Sequence, residues 1–246
     1  MNIESSLALS VQKVSVAFGQ RRIIHDLSFQ AAKGETLAIV GPNGAGKTVL
    51  LRALLNLVPY QGMIQWAEGT RLGYVPQSIA ADRQLPLYVR DLLGAKARLL
   101  KLPAEAIPEA ARIVGLAPEL LDTSVGVLSG GQFQKVLITF ALLGGPNVLL
   151  VDEPTASLDE LAQEHIYELL EALRQSHGLT VLLVSHDLSI VYQYASKVLC
   201  VSRDNACFGS PQEILTPETL AAVYAATPKF YQHSHSHHHM EHDEYR

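Results

Sequence analysis

The chain has 246 residues, 48% hydrophobic and 17% charged, with 19 basic against 24 acidic side chains and a formal net charge of −5. This composition excludes wholesale disorder, which needs low hydrophobicity with high net charge, and the acidic balance gives no whole-chain electrostatic footprint for nucleic acid. The length suits one large domain or one domain carrying a smaller insertion, and two cysteines make no disulfide scaffold.

In chain order, the loose alternation over residues 7–18 predicts a strand that turns at Phe18-Gly19, and a second strand is predicted over 23–29. Residues 36–40 form a short apolar run that stops at Gly41, the pattern of a buried strand. Leucine spacing over 47–58 predicts a helix that ends at Pro59. Strand, glycine loop and helix make the first half of a parallel α/β unit. A further strand is predicted over 72–76. From about Ala80 to Leu128 the pattern turns helical, with helices over 85–100 and 104–116 and Pro108 reading as a break or restart in the second. A helix over 132–143 and a strand over 148–151 follow. The amphipathic helix expected over 159–177 has Leu161, His165, Leu169 and Leu173 as its stripe and closes at Gly178. A strand over 180–184, a helix over 187–195 and a strand over 197–201 complete the alternation. Ser210-Pro211-Gln212-Glu213 is a capping box with proline at N1, and Thr216-Pro217 is a second helix start.

No apolar run reaches the ~20 residues of a membrane span; the best, 136–151, is cut by Gly144-Gly145-Pro146-Asn147. The first residues carry no signal-peptide core. A soluble, reducing, cytosolic setting is therefore the expectation.

Three stretches carry chemistry. Gly41-Pro42-Asn43-Gly44-Ala45-Gly46-Lys47-Thr48 matches G-x-x-x-x-G-K-[ST] between an apolar strand and a helix. Backbone N–H groups freed by the glycines can cradle phosphate at a helix N-terminus. Lys47 adds charge to the same oxygens, and the Thr48 hydroxyl can ligate Mg²⁺. The apolar strand 148–151 ends in Asp152 and Glu153. Asp152 can hold the magnesium ion and Glu153 can polarise an attacking water. Leu128-Ser129-Gly130-Gly131-Gln132 opens a helix with a second phosphate-seeking turn. Taken alone that turn reads as a flexible linker; beside the first, it suggests two chains sharing two nucleotides.

With these residues in order, the sequence resembles the ATP-binding subunit of an ABC transporter over about residues 7–225. The resemblance implies an α/β fold, a P-loop NTPase core of ABC ATPase type with an inserted helical subdomain. Core segments 1–80 and 135–210, a helical subdomain 81–134, C-terminal helices 211–232 and a tail 233–246 are expected. It implies ATP and Mg²⁺ as cofactors, with Val49 beside the phosphate loop and Phe18 where an aromatic residue stacks on adenine. Gln77, in Tyr74-Val75-Pro76-Gln77, matches the Q-loop that senses magnesium, and residues 128–132 match the signature that caps the partner chain's γ-phosphate. Ser157-Leu158-Asp159 matches the D-loop, and His186 the switch histidine. The implied catalytic set is Glu153, His186, Lys47 and Gln77. Lys135 and Thr139-Phe140 depart from the usual arginine and Ala-Arg pair, which puts in doubt the packing around that helix and leaves the chemical centre intact. The implied partners are a membrane-spanning permease, a second copy of the chain, and indirectly an extracytoplasmic metal-binding protein, with no nucleic acid. The implied place is the cytoplasmic face of the plasma membrane.

Residues 74–77, Leu85-Pro86-Leu87, Val198-Leu199-Cys200 and the histidine-rich end are together similar to ATPases of zinc and manganese importers. Six of the ten histidines (His233, His235, His237, His238, His239 and His242) fall in ten positions of the tail. Neutral imidazole suits zinc, copper and nickel, and the interrupting serines set the run apart from an expression tag. Import of zinc or another divalent transition metal is the expected function. An ATPase for an unrelated solute, an ABC ATPase of iron–sulfur cluster assembly and a metal-buffering protein are the alternatives. His25, His165 and His177 read as packing or surface residues, and Cys200 and Cys207 as buried thiols in an apolar strand pair.

Overall fold

The computed structural model describes residues 6–77, 87–156, 158–202 and 206–224. The elements run β1 (Leu7–Phe18), β2 (Arg21–Ala32), β3 (Thr36–Val40), α1 (Lys47–Leu54), β4 (Gln61–Trp66), β5 (Leu72–Val75), α2 (Val89–Leu99), α3 (Ala106–Val114), α4 (Gly130–Leu142) and β6 (Val148–Asp152). They continue with α5 (Glu160–His177), β7 (Thr180–Val184), α6 (Leu188–Tyr194), β8 (Lys197–Val201), β9 (Ala206–Gly209), α7 (Pro211–Ile214) and α8 (Pro217–Tyr224).

The alternating N-terminal strands form an antiparallel sheet in the order β2-β1-β4. The continuous apolar runs form a second sheet in the order β5-β6-β7-β3-β8-β9. Its first five strands are parallel and β9 is antiparallel. Every residue of β3, β6 and β7 is buried, as expected of parallel strands covered on both faces. One face packs against the antiparallel sheet and α1 through Leu9, Leu37, Leu50, Leu150 and Leu182. The other packs under α4 and α5 through Leu137, Ile138, Leu149, Val151 and Ile166. Helices α2 and α3 and the outer side of α4 share a separate apolar cluster around Leu93, Ala110, Leu128, Val136 and Leu143.

Several sequence expectations shift by identifiable causes. Helix α1 stops at Leu54 instead of running to 58. Asn56 takes the left-handed conformation (φ 56°), and the Leu57 N–H donates to the Arg52 carbonyl at 2.8 Å, a Schellman closure with asparagine in place of glycine. Pro108 does not break α3. It is the third residue of that helix, where a backbone N–H has no intrahelical acceptor to lose. The buried face of α5 is Ile166, Tyr167, Leu170 and Leu173, whereas Leu161 is 69% exposed and His165 is exposed. A strict i, i+4 stripe drifts about 40° per step around a 3.6-residue helix, so its N-terminal half leaves the face that Leu173 presents. Strand β4 escaped the sequence reading because its side chains are mostly exposed.

The cysteines are not separate thiols. Cys200 and Cys207 stand opposite each other in the antiparallel pair β8-β9 and are joined as a disulfide with their Cα atoms 4.9 Å apart. Direct cross-strand opposition brings the two side chains together on one face.

Replacing Ile166 by alanine should cost about 2–5 kcal/mol in urea unfolding. His165→Ala should stay within about 0.5 kcal/mol of the unmodified chain. Equal losses at the two positions would show the buried face of α5 to be misassigned.

Candidate functional site

Parallel strands deliver their C-terminal ends to one edge of the sheet, and in open α/β sheets ligands sit at that edge. Strand β3 leads into residues 41–48, β5 into Pro76-Gln77, β6 ends at Asp152-Glu153, and β7 leads into Ser185-His186. Four stretches far apart in sequence meet because their strands are neighbours.

The first three of them border a cleft of ≈ 490 Å³ lined by Phe18, Asn43, Gly44, Gly46, Lys47, Thr48, Val49, Gln77 and Glu153, together with Arg21 and Ile23. Phe18 stands at the rim, 50% exposed. Gly46 (φ 102°) caps α1 from the left-handed region. Gly41 (φ 149°) lies so close to β8 that an added Cβ would stand 2.0 Å from the Val201 carbonyl oxygen. Ala45 is buried, and its N–H donates to the Pro42 carbonyl at 3.2 Å.

The Lys47 ammonium is only 6% exposed and is held from three sides. It donates to the carbonyls of Gly41 at 2.9 Å and Pro42 at 3.3 Å, and it lies 3.6 Å from the Glu153 carboxylate. The other Glu153 oxygen accepts from the Gln77 side-chain amide at 2.9 Å. The Glu153 backbone N–H donates to the Val184 carbonyl at 3.0 Å. Glu153 itself sits at φ 43°, a conformation that costs a non-glycine residue about 1–3 kcal/mol and that these contacts hold.

Asp152 is 1% exposed. Burial pushes its carboxyl above the usual range; hydrogen bonds from the Thr48 hydroxyl and the Tyr74 phenol, and the Lys47 charge, pull the other way, while Glu153 adds to the rise. Its Oδ1 has no partner. A buried carboxylate with one unpaired oxygen beside a threonine hydroxyl fits an oxygen-seeking divalent cation such as Mg²⁺. The nucleotide-free fold is stabilised at Asp152 below its unfolded pKa, and that contribution is lost as pH rises through the raised folded value.

The remaining sequence-identified residues lie outside this cleft. Ser129 is the N-cap of α4; its hydroxyl accepts from the Gln132 N–H, and the Gln132 side chain accepts from the Ser129 N–H, closing a capping box. Gly130 and Gly131 form the first turn of α4. Asp159 caps α5 by accepting from the Ala162 N–H at 2.9 Å, and a Cβ on Gly131 would lie 3.8 Å from Ala162. The two helix starts are thus neighbours, flanked by exposed Val127 and Leu161. His186 is exposed on the loop after β7. Ser157 and the tail histidines lie outside the described residues.

Sequence reasoning passed over Arg21, Ile23 and the role of Tyr74 at Asp152. The pairing of β1 with β2 brings Arg21 opposite Phe18, a signal visible only once register is known. Tyr74 lay inside a quoted motif, but its partner is 78 positions away on the adjacent strand β6.

The profile of the ABC transporter family matches residues 24–156. The chain is 39% identical to the zinc import ATP-binding protein ZnuC of Yersinia pseudotuberculosis over 96% of its own length and 94% of that protein's. It is 39% identical to the protein of the same name from Cereibacter sphaeroides over 88% of each chain. Its fold matches a solved structure described as an inward-facing metal-chelate type ABC transporter, with a TM-score of 0.81 at 30% identity over 89% of each chain. It also matches CbiO1 of Clostridium perfringens, described as part of the CbiONQ transporter complex, with a TM-score of 0.75 at 25% identity. Among the described residues no helix is long and apolar enough to cross a membrane.

Gly41→Ala should lower stability by about 1–3 kcal/mol, because the clash is with backbone that cannot rotate away. Gly44→Ala, with nothing within 4 Å, should cost only the roughly 1 kcal/mol of its left-handed conformation. Thermal unfolding of the two variants checks the order, and a Gly41→Ala chain as stable as Gly44→Ala would contradict the close packing on Val201.

Proposed function

From the premise that this chain belongs to the ABC transporter family, as an ATPase that works with a membrane permease, we propose that its hydrolysis of ATP drives import of zinc or another divalent transition metal. The observation that carries the ATP chemistry is the junction of Lys47, Thr48, Asp152, Glu153 and Gln77 at one sheet edge. The metal cargo is supported by likeness to zinc-import ATPases across nearly the whole chain.

The proposed sequence of events starts from Lys47. Its ammonium exchanges the Gly41 and Pro42 carbonyls for the β/γ-phosphate oxygens, while the N–H groups of residues 43–48 close on the same oxygens. Magnesium, when bound, neutralises charge developing on those oxygens; the Thr48 hydroxyl and the free Oδ1 of Asp152 would hold it, with Gln77 at its edge. Loss of the Lys47 contact frees Glu153 to accept a proton from the attacking water. His186 reaches the γ-phosphate from the loop after β7, and Phe18 covers the adenine.

The working unit in this reading is a head-to-tail pair of chains. Ser129, Gly130, Gly131, Gln132 and Asp159 of one copy complete the site of the other. Their place outside the cleft, beside exposed Val127 and Leu161, supports the pairing. The core (1–80 and 135–210), the helical subdomain (81–134) and the C-terminal helices (211–232) are the proposed parts. The proposed location is the cytoplasmic face of the plasma membrane, with an extracytoplasmic metal-binding protein as indirect partner.

Glu153→Gln should keep ATP binding, lose about 10²–10⁴-fold in hydrolysis and trap an ATP-bound dimer on gel filtration. Turnover near that of the unmodified chain would remove Glu153 from the chemistry.

For the tail, outside the described residues, we propose moderate zinc binding by His233, His235, His237, His238, His239 and His242, apart from ATP hydrolysis. Binding should fade as imidazoles protonate near pH ~6.5. Calorimetry with zinc should show that deleting residues 233–246 removes binding while ATPase activity persists. Equal binding by both chains would place any zinc site elsewhere.

A further inference from the structure

Helix α5 buries a tyrosine where the surrounding cluster is otherwise made of leucine, isoleucine, valine and alanine with Tyr167 alone among its fully buried members carrying a hydroxyl. Tyr167 is 2% exposed. A phenylalanine would fill the same volume, so the hydroxyl needs its own explanation, and a hydroxyl taken out of water without a partner is costly. It has two. The Tyr167 Oη lies 2.9 Å from the Thr155 Oγ1 and 3.4 Å from the Ser185 Oγ. Thr155 is 4% exposed and Ser185 2%, so the three hydroxyls satisfy one another away from solvent.

The two partners stand on different loops. Thr155 is two residues beyond Glu153, on the turn leaving β6. Ser185 immediately precedes His186 on the turn leaving β7, and its Oγ accepts from the Asp187 N–H at 3.1 Å. The same two loops are already tied by the main chain, where the Glu153 N–H donates to the Val184 carbonyl at 3.0 Å. The Tyr167 bridge is a second tie, and the two together close a ring around Glu153 and Ser185. The phenol ring also stacks on Tyr194, with centroids 6.1 Å apart and planes 22° apart, at the far end of α6, the helix that follows His186. Tyr167 therefore touches both loops and the helix downstream of one of them.

We infer that Tyr167 is a positioning residue for hydrolysis, its buried hydroxyl holding the loop of Glu153 in register with the loop of His186. The inference rests on the roles given above to those two residues. A phenol has one proton, so it donates to one of Thr155 and Ser185 and accepts from the other. The hydrogen-bond direction at one loop then sets the direction at the other, which couples the loops instead of anchoring each separately. Burial raises the Tyr167 pKa above the usual phenol value, which keeps that proton in place.

The test is Tyr167→Phe in the full chain, with Ser185→Ala and the double variant. Phenylalanine keeps the ring and its stacking and removes only the bridge. The kcat for ATP should fall about fivefold, the loss of one ordinary hydrogen bond, with KM for ATP unchanged and a drop of a few degrees in melting temperature, because Thr155 and Ser185 lose a buried partner. Hydrogen exchange at the Asp187 amide should quicken, a readout independent of turnover. Ser185→Ala should add little to the kcat loss already made by Tyr167→Phe. An unchanged kcat in a folded variant would overturn the inference, as would losses that simply add, or a loss of kcat accompanied by a rise in KM for ATP. If Tyr167→Phe fails to fold, Thr155→Val opens the bridge from its other end and is read in the same way. Should Glu153→Gln retain turnover, the reading of the site fails first; should it lose turnover while Tyr167→Phe does not, the bridge alone fails.

Discussion

A buried ammonium has to be paired, and the position of Lys47 organises everything around it. Removing such a charge from water is costly unless opposing dipoles or charges surround it. The glycine loop supplies them from its own backbone through the carbonyls of Gly41 and Pro42, and β6 supplies the Glu153 carboxylate. In the proposed reaction, those partners are the groups that a triphosphate and an attacking water would displace or need. In that reading phosphate oxygens take over from the two carbonyls, so the ammonium keeps an opposing partner. Backbone held this way must pack tightly from behind, and Gly41 pressed against the Val201 carbonyl provides that.

The adjacent carboxylates at the end of β6 show how one residue of offset gives two environments. Asp152 is the last residue of the strand, fully buried beside the Thr48 and Tyr74 hydroxyls, with its Oδ1 left unpaired. Glu153 is the first residue beyond the strand, where the chain turns through a left-handed conformation and presents its carboxylate to the cleft. The strand's alternation would otherwise have pointed the two side chains to opposite faces. The strained turn brings the second back toward the same edge, and the cost of that turn is offset by the Lys47, Gln77 and Val184 contacts.

Much of this was legible because the motifs that carry chemistry are also local structure. Residues 36–48 declare strand, loop and helix within thirteen positions, and the capping box at Ser210 formed with both of its hydrogen bonds. What the sequence hid depends on contacts between distant strands. Tyr74 meets Asp152 only because β5 lies beside β6, and Arg21 faces the cleft only through its pairing with Phe18. The stripe on α5 was misplaced at its N-terminal end because sequence spacing fixes a helix's period more firmly than its phase; the sheet beneath decides which phase is buried. The Cys200–Cys207 bond was missed for the same reason, since opposition across β8-β9 is a matter of register.

The departures from the family pattern in α4 find their explanation in packing. This helix faces two clusters at once, with Leu137, Ile138 and Ala141 toward the sheet and Val136 and Leu143 toward α2 and α3. Thr139 is fully buried and satisfies its hydroxyl on the Lys135 carbonyl at 2.8 Å. Phe140 offers its ring to the Lys96 ammonium at 4.6 Å, while that ammonium donates to the Phe140 carbonyl at 2.7 Å. A cation at these carbonyls complements the negative end of the helix dipole, and it comes from α2, so the helical cluster is clamped to the C-terminal end of α4. Lys135 reaches the Gly115 carbonyl at 3.3 Å, at the end of α3. Residues 135–140 thus fasten both neighbouring helices to the one helix whose N-terminus bears Ser129, Gly130 and Gly131. Helix α4 is thereby tied both to α2 and α3 and to the sheet that it covers.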